Sequence, residues 1–157
     1  LRSPRRRVLI VEEGPGWRIS LDTSRSPHCL LLGGQGWAAE CTLAEARALA
    51  SGARALEEQR LDCLPSLMPE EQLTLELERD GIWLELDGKG QDWAFRFVLS
   101  PPERERRGVE GSWKGSATRA VMQSLRLLES GALGSADPSQ HLVFNSGCAG
   151  AANSENS

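Results

Sequence analysis

Polar and apolar residues alternate along most of this chain in two blocks, and each block closes in a stretch of helical spacing. Residues 8–11 form a short β-type run, stopped by the turn signal Glu12-Glu13-Gly14-Pro15-Gly16. Trp17, Ile19 and Leu21 then alternate with Arg18 and Ser20, the pattern of a half-buried strand. After a loop over 22–27, residues 29–32 predict a third strand. Gly33-Gly34-Gln35-Gly36 is a tight connection, and residues 37–40 predict a fourth strand. A helix follows. Thr42 is placed to cap it, with Glu45 three residues on in the capping-box arrangement. Leu43, Ala46, Leu49, Ala50, Ala53 and Leu56 recur at helical spacing, Gly52 weakens the interior, and Pro65 and Pro69 bound the segment.

The second block repeats the plan. Leu73, Leu75 and Leu77 alternate with Thr74, Glu76 and Glu78; Asp80-Gly81 turns the chain; Ile82, Leu84 and Leu86 alternate with Trp83, Glu85 and Asp87. Gly88-Lys89-Gly90 turns it again, and Trp93, Phe95, Phe97 and Leu99 line one face of a third strand. Residues 101–107 read as a hairpin loop, Val109, Gly111 and Trp113 as the last strand, and 117–128 as a second helix. Residues 8–22 lie over 73–87 without a gap, so that Gly16 meets Gly81, Ile10 meets Leu75 and Leu21 meets Leu86. Trp37 and Trp113 each stand just before a helix. The expected fold is α+β, a tandem duplication of a four-strand antiparallel sheet plus a helix. Its halves span about 8–66 and 70–130, flanked by a basic leader over 1–7 and a flexible tail over 131–157. The tail is rich in Gly, Ala, Ser and Asn around one apolar island, Leu142-Val143-Phe144.

Charge modifies this picture. The net charge is −4, from 18 basic and 22 acidic residues, but four of the arginines, Arg2, Arg5, Arg6 and Arg7, stand in the leader. The remainder is therefore more acidic than the total suggests. Nucleic-acid affinity rests on cationic contacts with phosphates, so an acidic body argues against a general nucleic-acid surface. No apolar run approaches the roughly 18 residues of a membrane span, and no signal peptide is legible. The chain reads as cytoplasmic, with no membrane association.

Catalytic and metal chemistry finds little footing. Cys29, Cys41, Cys63 and Cys148 form no C-x-x-C pair, and only His28 and His141 could assist them, so they read as buried or incidental thiols. Neither Gly33-Gly34-Gln35-Gly36 nor Gly111-Ser112-Trp113-Lys114-Gly115-Ser116 has the order of a nucleotide-binding loop. Nucleophilic catalysis needs a base beside a Ser or Cys, and His28, next to Cys29, is the one candidate. The paired glutamates fall in turns and on polar faces. The expectation is a non-enzymatic chain with no catalytic, cofactor or metal residues.

The tryptophans carry more information. Trp17, Trp93 and Trp113 share strand faces with apolar residues and are expected in the core, with Trp37 beside them. Trp83 is the exception, since alternation puts it on the outer face with Glu76, Glu78, Glu85 and Arg96. An outward tryptophan is a contact for a partner protein or a stacked base, unless a helix or a second copy of the chain covers it.

The motifs Gly14-x-Gly16-Trp17-Arg18, Leu32-Gly33-Gly34-x-x-Trp37-Ala38-x-Glu40-x-Thr42-x-Ala44-Glu45, Ile82-Trp83-Leu84-Glu85, Phe95-Arg96-Phe97-Val98-Leu99 and Glu110-Gly111-x-Trp113 resemble a cyanobacterial domain family of unknown function. The likeness spans residues 14–128. It implies a fold of the Whirly type, that of single-stranded-DNA-binding transcriptional regulators. Whirly proteins carry a Lys-Gly-Lys-Ala-Ala-Leu motif; this chain has two lysines, Lys89 and Lys114, and Lys89-Gly90-Gln91 is the nearest remnant. Two functional expectations follow. The first is an accessory or regulatory protein that binds another protein; the second is single-stranded nucleic-acid binding. The candidate contacts are Trp83, Arg96, Lys89, Arg5, Arg6 and Arg7. Self-association is compatible with either.

Overall fold

A computed structural model of the protein describes residues 7–100 and 108–133. Four strands, β1 (Leu9–Gly14), β2 (Trp17–Asp22), β3 (Leu30–Gly34) and β4 (Trp37–Cys41), precede the helix α1 (Leu43–Cys63). A 3-10 turn (Leu64–Ser66) leads to β5 (Leu73–Arg79), β6 (Ile82–Lys89), β7 (Asp92–Leu99) and β8 (Val109–Lys114), and then to α2 (Ser116–Ser130). The strands form two antiparallel meanders, β1-β2-β3-β4 and β5-β6-β7-β8. The architecture is therefore α+β with a β4-α-β4-α order, as the alternation predicts.

The duplication extends to register. Ile10 pairs with Leu21 as Leu75 pairs with Leu86, the same two positions that superpose in sequence. The first turns correspond as well. Gly16 and Gly81 have φ of 78° and 77°, a left-handed conformation that glycine adopts without steric cost. They differ at the preceding residue: Asp80 also has positive φ (50°), whereas Pro15 cannot.

Apolar residues on the inner faces of both sheets and on both helices join in one core. The halves are tandem in sequence but interlocked in space. Helix α1 follows the first sheet and packs on β5 and β6 of the second. Helix α2 follows the second sheet and reaches β1 and β2 of the first, while keeping contact with β7 and β8. Helix α1 begins in the expected capping box: the Glu45 amide donates to Thr42 Oγ1 (3.2 Å) and the Thr42 amide donates to Glu45 Oε1 (2.9 Å). Gly52, expected to be a weak point, has a packing role. A Cβ there would run into Leu84 Cδ1 and press on Leu77 Cδ2, so glycine lets α1 lie close on the second sheet.

The seam between the sheets is closed by two tryptophans that exchange hydrogen bonds. Trp37 Nε1 donates to the Ser112 carbonyl (3.2 Å), and Trp113 Nε1 donates to the Gly33 carbonyl (2.9 Å). Their rings lie 5.0 Å apart, and Phe95 and Phe97 pack against Trp113 at 5.8 and 5.5 Å. Trp93 and Trp113 are buried as expected, whereas Trp17 and Trp37 are half-buried at the edge of the core. Residues 131–133, placed by composition in the tail, instead complete the fold. Leu133 is buried, its amide donates to the Leu128 carbonyl (2.8 Å), and its carbonyl accepts from Arg47 Nε (2.9 Å). The hairpin loop over 101–107 and the island at 142–144 lie outside the described residues.

Candidate functional site

The outer face of β5–β8 is built by strict alternation, because the apolar set of each strand turns into the core and leaves the polar set outside. Register then fixes three rows across the sheet. Glu78, Trp83, Val98 and Glu110 form one; Glu76, Glu85, Arg96 and Ser112 the next; Thr74, Asp87, Ala94 and Lys114 the third. Trp83 is half-buried on this face, with the Arg96 guanidinium 5.5 Å from the centre of its ring. Arg96 also reaches Glu110 Oε2 at 3.3 Å. It thus braces the indole from one side, while Glu78 and Val98 are the direct cross-strand neighbours of Trp83.

The acids crowd one another. Glu76 stands directly opposite Glu85, and Asp87 is the next outward residue of β6. The Glu85 carboxyl is raised above its ordinary value by partial burial, then by Asp87 and Glu76, with Arg96 pulling the other way. Asp87 accepts hydrogen bonds from Gln72 (2.8 Å) and Thr74 (2.6 Å), which hold its carboxylate in place. A face of this kind attracts cations and repels phosphate.

Of the residues singled out in sequence, the structure brings Trp83 and Arg96 together. Lys89 is exposed at the end of β6, on the same face, opposite Asp92. Arg7 lies elsewhere, on the first sheet, where Nε and Nη2 donate to the two oxygens of Asp22 at 3.2 and 2.8 Å. That pairing, with help from Ser24, holds the Asp22 carboxyl well below the usual carboxylate range. Arg7 thus serves to pin the chain at the start of β1. Arg5 and Arg6 lie outside the described residues.

The other sequence candidates are the cysteines and histidines. Cys29 and Cys41 are buried free thiols, and burial pushes Cys41 up to about 12, far from a nucleophilic thiolate. Burial raises the Cys29 thiol too. Cys63 is buried but disulfide-bonded, which corrects the thiol expectation at that position. Cys148 and His141 lie outside the described residues. Among the described residues no group of three His, Cys, Asp or Glu side chains could hold a metal ion, and no helix is long and apolar enough to cross a membrane.

Sequence reasoning missed a concave feature, a cleft of about 440 Å³ between the C-terminal half of α1 and the outer side of α2. Arg54, Arg60, Arg119 and Arg126 line it with Glu57 and Glu58, over a floor that includes Leu86, Trp93 and Met122. The helical spacing of Arg119, Met122 and Arg126 is visible in the sequence. What periodicity does not carry is that α2 lies against α1 with the β6–β7 turn beneath both.

Comparison with known proteins agrees with the architecture and assigns no chemistry. Residues 12–128 match the model of a domain of unknown function, DUF1818. The structure resembles the crystal structure of a protein with unknown function from Prochlorococcus sp. NATL2A, described as of the DUF155 family. That match has a TM-score of 0.71 and 36% identity, and covers 76% of this chain and 98% of the other. No curated protein matches the chain.

Proposed function

We propose, from the premise that the chain belongs to the DUF1818 family, that it is a non-enzymatic accessory protein that holds a partner protein on the outer face of β5–β8. One observation carries this reading: Trp83, braced by Arg96, stands on an open sheet face among Glu76, Glu78, Glu85, Asp87 and Glu110. A partly exposed tryptophan supplies the large contact area typical of binding hot spots. The surrounding carboxylates speed encounter with a basic segment and disfavour acidic competitors. A cytoplasmic location and a Whirly-like classification of the fold belong to the same proposal; the four-strand-plus-helix duplication supports the second.

Single-stranded nucleic-acid binding is the alternative, favoured by the Arg96–Trp83 pair, since bases stack on such platforms. The five carboxylates on the same face oppose phosphate, which ranks it second. Two measurements separate the readings. A partner protein retained by immobilised wild-type chain from lysate of its source organism is lost with Trp83→Ala and with Arg96→Glu, while the melting temperature stays near wild type. Equal retention by the variants overturns the proposal. Fluorescence anisotropy of a labelled single-stranded oligonucleotide at low salt gives no binding on the protein reading. Binding that weakens steeply with salt and vanishes in Trp83→Ala would install the alternative.

A further inference from the structure

We propose that the cleft between α1 and α2 binds a free amphiphilic organic anion, an acidic group carried on a flat apolar body. The site is separate from the outer face of β5–β8, and the inference does not depend on the function proposed there. Its volume of about 440 Å³ falls in the range of small-ligand pockets, roughly 300–1,000 Å³.

The floor is rigid and apolar. Trp93 is 5% exposed, and its Nε1 donates to the Gly90 carbonyl at 2.9 Å, which fixes the ring plane. The Arg60 guanidinium lies 5.3 Å from the centre of that ring and is itself held by both Glu57 oxygens, at 3.0 and 2.6 Å. Leu86 and Met122 extend the apolar surface, and the thioether adapts to an irregular guest.

The charges in the cleft are unevenly matched. Glu57 is occupied by Arg60, and Glu58 and Glu129 by Arg54. Arg119 has no carboxylate and touches the neutral Gln91, through the backbone carbonyl at 2.9 Å and the side-chain oxygen. Arg126 makes no ion pair among the described residues. The two guanidiniums stand seven residues apart on α2, about 10 Å along the helix, on either side of Met122. Two arginines without carboxylates, beside an aromatic floor, run against the acidic character of the whole chain. Their planar forks suit a carboxylate, phosphate or sulfonate, and the floor suits an apolar body beneath it.

The test uses the full chain and the fluorescent sulfonate 8-anilinonaphthalene-1-sulfonate, beside its uncharged relative N-phenyl-1-naphthylamine. The sulfonate binds saturably at one site, and the uncharged probe binds at least about tenfold more weakly. Arg119→Gln with Arg126→Gln weakens the sulfonate about tenfold at an unchanged melting temperature, while Arg126→Lys alone stays within roughly threefold of wild type. Met122→Ala weakens both probes. The proposal fails if wild type shows no saturable binding, if the probes bind equally, or if the double variant binds like wild type. It also fails if inorganic phosphate displaces the sulfonate at comparable concentration, because the apolar floor would then contribute nothing.

Discussion

Replacing Gly52 by alanine sets two opposing effects against each other in the middle of α1. Alanine is the better helix former, by about 1 kcal/mol at an interior position, so propensity alone makes Gly52→Ala stabilising. The packing argues the other way. The new methyl group would overlap Leu84 Cδ1 and crowd Leu77 Cδ2, and these leucines are 1% and 6% exposed, leaving neither a free direction in which to swing. Inserting a methyl into such a site costs about 1–3 kcal/mol, and the confinement on both sides places this case near the upper end. The expected net effect is a loss of about 2 kcal/mol, or a urea midpoint lower by about 1 M at an ordinary slope of about 2 kcal/mol/M. Equilibrium urea unfolding of wild type and Gly52→Ala measures it directly. The same substitution in a Leu84→Ala background, where the space has been cleared, should be neutral or stabilising by up to about 1 kcal/mol. A single variant as stable as wild type, or an equal loss in both backgrounds, would refute the packing argument.

The seam and the N-terminal ion pair predict three further outcomes. Trp113→Phe removes the donor to the buried Gly33 carbonyl and leaves space in the aromatic cluster, for an expected loss of about 2–4 kcal/mol. Trp37→Phe should cost less, because its ring is half exposed; equal losses by chemical unfolding would contradict the unequal burial of the two clamps. For Asp22, the folded-state pKa lies below its ordinary value, so the Arg7 pairing stabilises the fold above about pH 4 and this contribution is lost as pH falls from there. Asp22→Asn should therefore lie furthest below wild type at neutral pH and approach it towards pH 3. A constant gap in urea midpoint between pH 7 and pH 3 would count against the linkage.

The strands, the Gly16 and Gly81 turns and the capping box are legible in the sequence because each is a local decision. Alternation sets which side of β6 faces inward, and hence where Trp83 points. Gly16 and Gly81 sit where a turn needs positive φ. Thr42 and Glu45 satisfy each other three residues apart. Gly52, Leu133 and the Arg119–Arg126 cleft are not legible for one shared reason: each depends on an element distant in the chain. Gly52 reads as a propensity defect until β6 is laid against α1. Leu133 sits in a stretch whose composition suggests a tail, yet a single leucine reaching the core fixes its first turn. The candidate contacts divide in the same way. Trp83 and Arg96 meet because neighbouring strands put them there, whereas Arg7 is taken up by Asp22 in a pairing that a count of leader arginines does not anticipate.

The seating of α1 on the second sheet, and of α2 across both sheets, has a consequence for how the protein holds together. The first half cut out on its own would keep its sheet but strip α1 of the β5–β6 surface it covers, and the second would keep α2 on β7 and β8 but lose its seat on β1 and β2; a pair of such halves would have to meet in solution before either core closed. Joining them in one chain, through residues 64–72, turns that encounter into an intramolecular step, so stability no longer depends on protein concentration. The chain behaves as two halves fused around one shared core. Once fused, its two halves are free to diverge: one carries a tryptophan among carboxylates on its open face, while the other keeps Leu9 and Val11 exposed at its edge.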